Sequence, residues 1–324
     1  MGVVIDGKWT DEQLAAETGK AGEFLRAESQ FRDRITADDS SGFKAEPGRY
    51  HLYVAHACPW AHRTLIYRAV KKLTGAISVA YALPGMKEQG WMYEDNPAFP
   101  DCTPDRVNGF RYLHEAYTAS DPHYTGKVTV PTLWDKKTGR IVNNESSEII
   151  RMLNSEFDAI GGEHTDFYPK ALRGEIDRLN AMVYSNVNNG VYRCGFAKSQ
   201  AAYEAAYDAL FATLDELEAR LGRQRYLVGH QITEADWRLL PTLLRFDVAY
   251  FSLFKCNRNR IADFPNLSNY MRELYQVPGV AETVKPRYYV INYYSISRIN
   301  PTGVIPKGTP INLSLPHDRA RLAA

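Results

Sequence analysis

The chain is predicted to be α+β in its first half and all-α in its second. Three observations predict this. Strand-type and helix-type periodicities alternate between residues 49 and 157. From about residue 169 apolar residues recur only at helical spacing. Between the two lies a polar, Gly-rich linker, residues 158–168, containing Asp158-Ala-Ile-Gly-Gly-Glu-His-Thr-Asp166.

Residues 1–48 are polar and mixed in charge, with Phe24, Leu25 and Phe31 as scattered anchors and Gly42, Pro47 and Gly48 at the end. They read as an extension lying over the folded body. Residues 49–157 form the first domain. Tyr50, Leu52 and Val54 alternate with His51, Tyr53 and Ala55, as a strand requires. A helix follows from Pro59, with Leu65, Ile66, Ala69, Val70 and Leu73 on one side. Ile77-Ser-Val-Ala-Tyr-Ala-Leu83 is the next strand, completing a βαβ unit. Residues 84–125 are a long insertion rich in Pro, Gly and aromatics, with a short helix expected around Val107–Tyr117.

Thr129-Val130-Pro131-Thr-Leu-Trp-Asp and Arg140-Ile-Val-Asn, split by Lys136-Lys-Thr-Gly139, make a hairpin. A cis bond at Val130-Pro131 would turn the Val130 backbone groups outward, where an extended ligand can pair with them. Glu145-Ser146-Ser147 opens a helix that buries Ile149, Ile150 and Leu153, with Ser146 as the expected N-cap. Its free N–H groups and hydroxyl suit a carboxylate. The order β-α-β, insertion, β-β-α is that of the thioredoxin fold.

The second domain, 169–285, carries one helix on Leu172, Ile176, Leu179 and Val183 and a second on Tyr203, Tyr207, Leu210, Leu214, Leu217 and Leu221. Ile232-Thr233-Glu-Ala-Asp236-Trp237 combines a capping box with a hydrophobic staple, and its helix is expected to reach Val248. A further helix runs from Pro265 to Tyr275, giving a helical bundle. Residues 286–324 are a Tyr- and Pro-rich extension; Asn300 to Pro310 cannot be helical and is expected to wrap back.

Composition narrows the function classes. The chain has 324 residues, 44% hydrophobic and 24% charged, with a net charge of +1, so no electrostatic case exists for nucleic acid or an acidic membrane. No apolar run approaches the ~20 residues of a membrane span, and Met1-Gly-Val-Val-Ile-Asp is too short and wrongly charged for a secretory signal. The four cysteines, 58, 102, 194 and 256, are far apart and lack zinc spacing, which makes a reducing cytoplasm the expected setting. The eight histidines likewise show no metal pattern, so no metal is implied.

The chemistry concentrates at Cys58. It precedes Pro59, which suits the first helical position. The sulfur therefore sits at a helix N-terminus, where unpaired N–H groups and the helix dipole favour thiolate over thiol. His56, His62 and Arg63 can add to that field. No second cysteine follows at Ala61, so a dithiol Cys-x-x-Cys mechanism is excluded. A lone sulfur needs an external thiol to complete a cycle, and glutathione is the obvious one. Cys102, Cys194 and Cys256 read as structural or incidental.

Cys58-Pro59, Val130-Pro131 before a hairpin, Glu145-Ser146 before a helix and Thr233-Glu-Ala-Asp236 in an all-α half together resemble the glutathione transferase superfamily. More narrowly, Cys58-Pro-Trp-Ala-His-Arg63, Gly90-Trp91, Val130-Pro131-Thr-Leu-Trp-Asp135, Asn143-Asn-Glu145-Ser146-Ser-Glu148-Ile149 and Ile299-Asn-Pro-Thr-Gly303 resemble the glutathionyl-hydroquinone reductases. These are the xi-class, omega-like glutathione transferases, and the resemblance covers about residues 40–312. It implies a thioredoxin-like N-terminal domain joined to an all-α transferase domain. It also implies reduction of glutathionyl-hydroquinones with glutathione as co-substrate, Cys58 as nucleophile, and a homodimer. Trp91, Val130, Pro131, Glu145 and Ser146 match the glutathione site. Tyr184, Tyr192, Tyr288 and Arg287 fall where the aromatic substrate is met, with Tyr184 or Tyr288 as proton donor; the family has His where Arg287 stands. Two rival readings are an omega-like thioltransferase or dehydroascorbate reductase using the same Cys58, and a non-catalytic scaffold binding glutathione or an aromatic.

Overall fold

The structure, a computed structural model, describes residues 2–11, 17–308 and 312–322. The last two residues of the Asn300–Pro310 tail, and positions 12–16 of the N-terminal extension, lie outside the described residues. Two compact units emerge: Met1–Ala15 with Ala27–Thr165, and Ala16–Arg26 with Asp166–Ala324. The N-terminal extension, expected as one stretch, is thus divided between them.

In the first unit a hairpin, β1 (Val3–Ile5) and β2 (Lys8–Thr10), precedes the main sheet. That sheet contains β3 (Tyr50–Val54), β4 (Ser78–Tyr81), β5 (Thr132–Asp135) and β6 (Arg140–Asn143) in the order β4-β3-β5-β6. β3 pairs parallel with β4 and antiparallel with β5, and β5 pairs antiparallel with β6. A parallel pair needs a crossover, and α1 (Pro59–Val70) supplies it. All five residues of β3 are buried, so the central strand is covered on both faces. The Arg49 guanidinium pairs with Asp135 at 2.7–2.8 Å and pins the start of β3 to the end of β5.

The insertion holds a helix, α2 (Leu113–Ser120), later than the 107–117 expected. The reason lies in Asp105. Its carboxylate accepts from the backbone N–H groups of Val107 (2.9 Å) and Phe110 (3.1 Å), so those groups close a side-chain-bridged turn in place of a helix. Gly109 at φ 74° completes that turn. The unit ends with α3 (Ser146–Ser155), which presents Ile149, Ile150 and Leu153 to the core.

The second unit is helical: α4 (Arg173–Val183), α5 (Gly190–Phe196), α6 (Gln200–Leu221), α7 (Glu234–Arg245), α8 (Phe251–Leu253), α9 (Pro265–Tyr275) and α10 (Pro286–Tyr294). Two π-helical turns, Tyr184–Asn188 and Phe246–Tyr250, link α4 to α5 and α7 to α8. α7 therefore stops at Arg245, short of the Val248 expected. Its capping box is present: Asp236 accepts from the Thr233 N–H at 2.7 Å, inside a buried carboxylate site. Behind the tail, buried Arg319 donates to the carbonyls of Leu221, Gln224 and Arg225 at 2.6–2.7 Å. A cation there caps the C-terminal end of α6 and fastens the chain terminus to this unit. Among the described residues no helix is long and apolar enough to cross a membrane.

Candidate functional site

Cys58 is the N-cap of α1, in extended backbone at φ −77° and ψ 122°, with Pro59 at the first helical position. The sulfur is neither sealed in the core nor fully exposed. Its thiol donates to the Val130 carbonyl oxygen at 3.3 Å, across a sequence separation of 72. The Val130–Pro131 peptide is cis, at the entrance to β5. The nucleophile candidate and the backbone expected to pair with a ligand are therefore in direct contact.

The Glu145–Ser146 corner differs from expectation in one respect. Glu145, not Ser146, is the N-cap of α3. Glu145 has the extended backbone a cap requires, and its carboxylate accepts from the Ser147 N–H (2.9 Å) and hydroxyl (2.8 Å). Ser146 is the first helical residue, which leaves its hydroxyl out of the cap. Ser146 Oγ accepts from Arg63 Nη1 at 3.4 Å. Arg63 is buried and its guanidinium lies 4.6 Å from the Trp60 ring centroid. Through this hydrogen bond α1 is tied to the start of α3. A hydroxyl that accepts from a fixed cation presents its own proton outward, as a carboxylate ligand needs.

The corner is braced by residues that sequence reasoning missed. Ser29, in the N-terminal extension, donates to the Asn144 carbonyl (3.1 Å) and to Glu145 Oε2 (3.3 Å). Asn143 Oδ1 accepts from the Glu145 N–H at 2.7 Å. Phe31 exchanges hydrogen bonds with Asn144, through its N–H and carbonyl. Asn143 and Asn144 were legible as turn-forming residues before a helix; Ser29, 116 positions from its partner, carried no local signal.

Trp91 is half-buried just after Gly90, and its carbonyl accepts from Leu113 at the start of α2. His56 stacks on Tyr81 at 4.3 Å and its Nε2 pairs with the Asp101 carbonyl, while His62 is buried within α1. Cys102 is buried, donates to the Ala82 carbonyl at 3.2 Å, and is pushed up to about 12, by burial first and Asp101 second. It is unsuited to nucleophilic work.

The residues expected around an aromatic ring belong to the helical unit. Tyr184 opens the first π-helical turn and is exposed, and Arg287 is exposed at the start of α10. Tyr288 is buried in α10, at 3% exposure. Tyr192 is half-buried in α5; its hydroxyl meets that of Tyr293 at 2.6 Å, which meets Tyr250 at 2.7 Å. Arg26 sits 4.8 Å above the Tyr192 ring and donates to Asn189 at 2.8 Å. Burial holds the Tyr250 and Tyr293 hydroxyls well above the usual phenol range, so both remain protonated links in that chain. The hydroxyl chain behind Tyr192 was invisible in sequence. No group of three or more His, Cys, Asp or Glu among the described residues could hold a metal ion.

Comparison with known proteins bears on the family and the fold. Residues 57–156 match the glutathione S-transferase N-terminal domain and residues 200–273 the C-terminal domain. The chain is 52% identical to the glutathionyl-hydroquinone reductase PcpF of Sphingobium chlorophenolicum, covering 95% of this chain and 96% of that one. It is 49% identical to the glutathionyl-hydroquinone reductase YqjG of Escherichia coli over 98% of both chains. The glutathione-bound structure of YqjG superimposes with a TM-score of 0.89, covering 98% of this chain and 99% of that one. A xi-class transferase from Natrialba magadii, 40% identical, superimposes at 0.93, covering 100% of this chain and 98% of that one.

Proposed function

The chain belongs to the glutathione S-transferases and, within them, to the xi-class glutathionyl-hydroquinone reductases, and from that premise we propose that it reduces glutathionyl-hydroquinones to hydroquinones with glutathione. The observation carrying this reading is the Cys58 thiol at the N-terminus of α1, against the Val130 carbonyl. In the proposal the tripeptide lies extended along Val130 and Pro131. Ser146, oriented by Arg63, donates to its γ-glutamyl carboxylate. Glu145 faces its α-amine, and Trp91 packs against it. For the aromatic ring we assign Tyr184, Tyr192, Tyr288 and Arg287, with the hydroxyl of Tyr184 or Tyr288 donating to the ring oxygen.

The substrate is a thioether. The Cys58 thiolate attacks the glutathione sulfur, a sulfur–sulfur bond forms, and the carbon–sulfur bond breaks. Both electrons of the broken bond pass to the ring carbon, which takes up a proton and leaves as hydroquinone. A second glutathione thiolate then attacks the mixed disulfide, releasing oxidised glutathione and the Cys58 thiolate. The net reaction consumes one conjugate and one glutathione. A homodimer in the cytoplasm completes the proposal.

The test is turnover of glutathionyl-menadiol against a generic glutathione mixed disulfide. Preference for the conjugate, lost in Cys58→Ser, supports the proposal. Equal turnover of both would favour a general thioltransferase, and no turnover of either a binding scaffold.

A further inference from the structure

Trp9, on β2, takes no part in the glutathione site proposed above, yet its ring abuts the turn that carries Trp91. Gly90 adopts a left-handed φ of 88°, and a Cβ there would fall 2.9 Å from Cη2 and 3.4 Å from Cζ3 of the Trp9 ring. The same ring closes on Gly2, where a Cβ would fall 2.5 Å from Cζ2. His114 of α2 stacks on it, with centroids 5.4 Å apart and planes at 28°. The indole N–H is buried and meets no acceptor among the described residues, so packing and not a hydrogen bond holds the ring.

Both sides of this contact are anchored. β1 and β2 pair Val4 with Trp9, and Val4 exchanges backbone hydrogen bonds with Gly126 at 2.9 and 3.0 Å, in the segment that leads to Val130. The turn is closed by reciprocal backbone bonds between Lys87 and Gly90 at 3.0 and 3.1 Å, and its Gln89 side chain pairs with His114 Nε2 at 2.8 Å. His114 therefore touches both the ring and the turn. Beyond Gly90, the Trp91 carbonyl accepts from Leu113 and the Met92 carbonyl from Leu83, each at 2.9 Å. Hydrogen bonds thus fix the Trp91 backbone on its C-terminal side. On its N-terminal side Trp91 hangs on a glycine, the residue with the widest choice of φ and ψ. The Trp9 ring fills the space beside that glycine and removes much of the choice.

We propose that Trp9 is a positioning residue for glutathione: by wedging the Lys87–Gly90 turn it sets the direction in which Trp91 meets the tripeptide. The inference rests on the assignment of Trp91 to that site. Trp9 acts on binding and leaves the sulfur chemistry at Cys58 alone. Without the ring the turn is freed, and the tripeptide must then order Trp91 as it binds, which weakens its affinity. The N-terminal hairpin is in this way part of the glutathione site although it supplies no ligand contact.

The experiment measures glutathione Kd by titration calorimetry on the full-length protein, with KM and kcat alongside. The variants are Trp9→Ala, Trp91→Ala, Ser146→Ala, and Trp9→Ala combined with each of the other two. Trp9→Ala is expected to raise Kd about 3–10-fold, the range of one lost aromatic contact. KM for glutathione should rise by the same factor, with kcat within about 2-fold of the parent. Added to Trp91→Ala, it should change Kd by less than about 2-fold, because both act through one ring; added to Ser146→Ala, it should keep its full factor. An unchanged Kd in Trp9→Ala, while Trp91→Ala weakens binding, overturns the inference and spares the Trp91 assignment. An unchanged Kd in Trp91→Ala overturns both. Full additivity of Trp9→Ala with Trp91→Ala also overturns the inference, since Trp9 then acts elsewhere. Should Trp9→Ala not fold, Trp9→Phe decides: it keeps a ring beside His114 but is too short to reach Gly90, and an unchanged Kd in it overturns the inference.

Discussion

The Cys58 thiol donates to the Val130 carbonyl oxygen across 3.3 Å, so a strand-to-helix turn and the cis-proline entrance to β5 form one local unit. The sulfur is thereby aimed along the edge where an extended peptide would pair. Replacing it by serine retains the donor and the shape but removes the nucleophile. Cys58→Ser should lower kcat for glutathionyl-hydroquinone reduction by at least ~10³-fold. The protein's melting temperature should move by no more than a few degrees. Steady-state kinetics with mass detection of the Cys58 mixed disulfide in the parent protein checks both halves.

Val130 and Ser146 should respond differently to truncation. In the proposed site Val130 offers the ligand its main chain, which alanine keeps. Ser146 offers a hydroxyl that Arg63 orients. If that hydroxyl meets the carboxylate as proposed, Ser146→Ala removes one hydrogen bond of about 1.5–3 kcal/mol, or roughly 10–150-fold in KM for glutathione. Val130→Ala should stay within about 3-fold. Arg63→Met should move KM in the same direction as Ser146→Ala while adding little to the double variant, because the two residues act through one contact.

Glu145 separates binding from stability. As the N-cap of α3 it accepts from Ser147, and its other oxygen accepts from Ser29. Glu145→Gln keeps an acceptor at the cap but loses the charge expected to face an α-amine. It should raise KM for glutathione while costing under ~1 kcal/mol of stability. Glu145→Ala should cost about 1 kcal/mol more in urea unfolding. Equal stability of the two variants would show that the cap contributes nothing.

His51 supplies a pH dependence. It is buried in β3, with Nδ1 against Ser78 Oγ at 2.7 Å and Nε2 4.0 Å from Asp105. Burial, the largest cause, lowers it from 6.5 to about 4; Asp105 opposes this, while Lys136 and Arg68 add to it. The folded state therefore binds the proton less tightly than the unfolded chain. Stability from this group is complete above about pH 6.5 and is lost as pH falls from 6.5 toward 4. Its share of the slope reaches ~1.4 kcal/mol per pH unit inside that window. Half-buried His114 is lowered by burial as well and contributes with the same sign. The difference in urea midpoints between the parent and His51→Gln, followed from pH 7 to 5, isolates His51; parallel curves would exclude it.

Much of this was legible in the chain because it is local. Cys58-Pro59 before an amphipathic run, Thr233 with Asp236, and Pro265 opening a helix are short-range rules, and each element stands where those rules put it. The misplaced features have long-range or competing causes. α2 starts late because Asp105 captures the backbone donors after it. Ser146 yields the cap to Glu145, which Ser29 and Asn143 hold in position. Arg319 reaches α6 from 98 residues away. The hydroxyl chain Tyr192–Tyr293–Tyr250 likewise joins three helical segments no periodicity connects.

Asp236 tests how far the helical unit depends on one buried carboxylate. It is fully buried and accepts from four donors: Leu227 N–H (2.9 Å), Thr233 N–H (2.7 Å), Thr233 Oγ1 (2.9 Å) and Tyr270 OH (2.7 Å). These tie the start of α7 to the preceding loop and to α9. Asp236→Ala leaves all four donors buried and opens a polar gap, a loss of about 3–5 kcal/mol. For a unit of this size that corresponds to roughly 10 °C in melting temperature. Asp236→Asn keeps one acceptor oxygen but turns an NH₂ toward donors, so it should fall between parent and alanine. Because the residue supports the bundle and not the substrate, kcat per folded molecule should hold below the new transition. A melting shift under about 2 °C for Asp236→Ala would show that water replaces the carboxylate and that the capping box is not what secures α7.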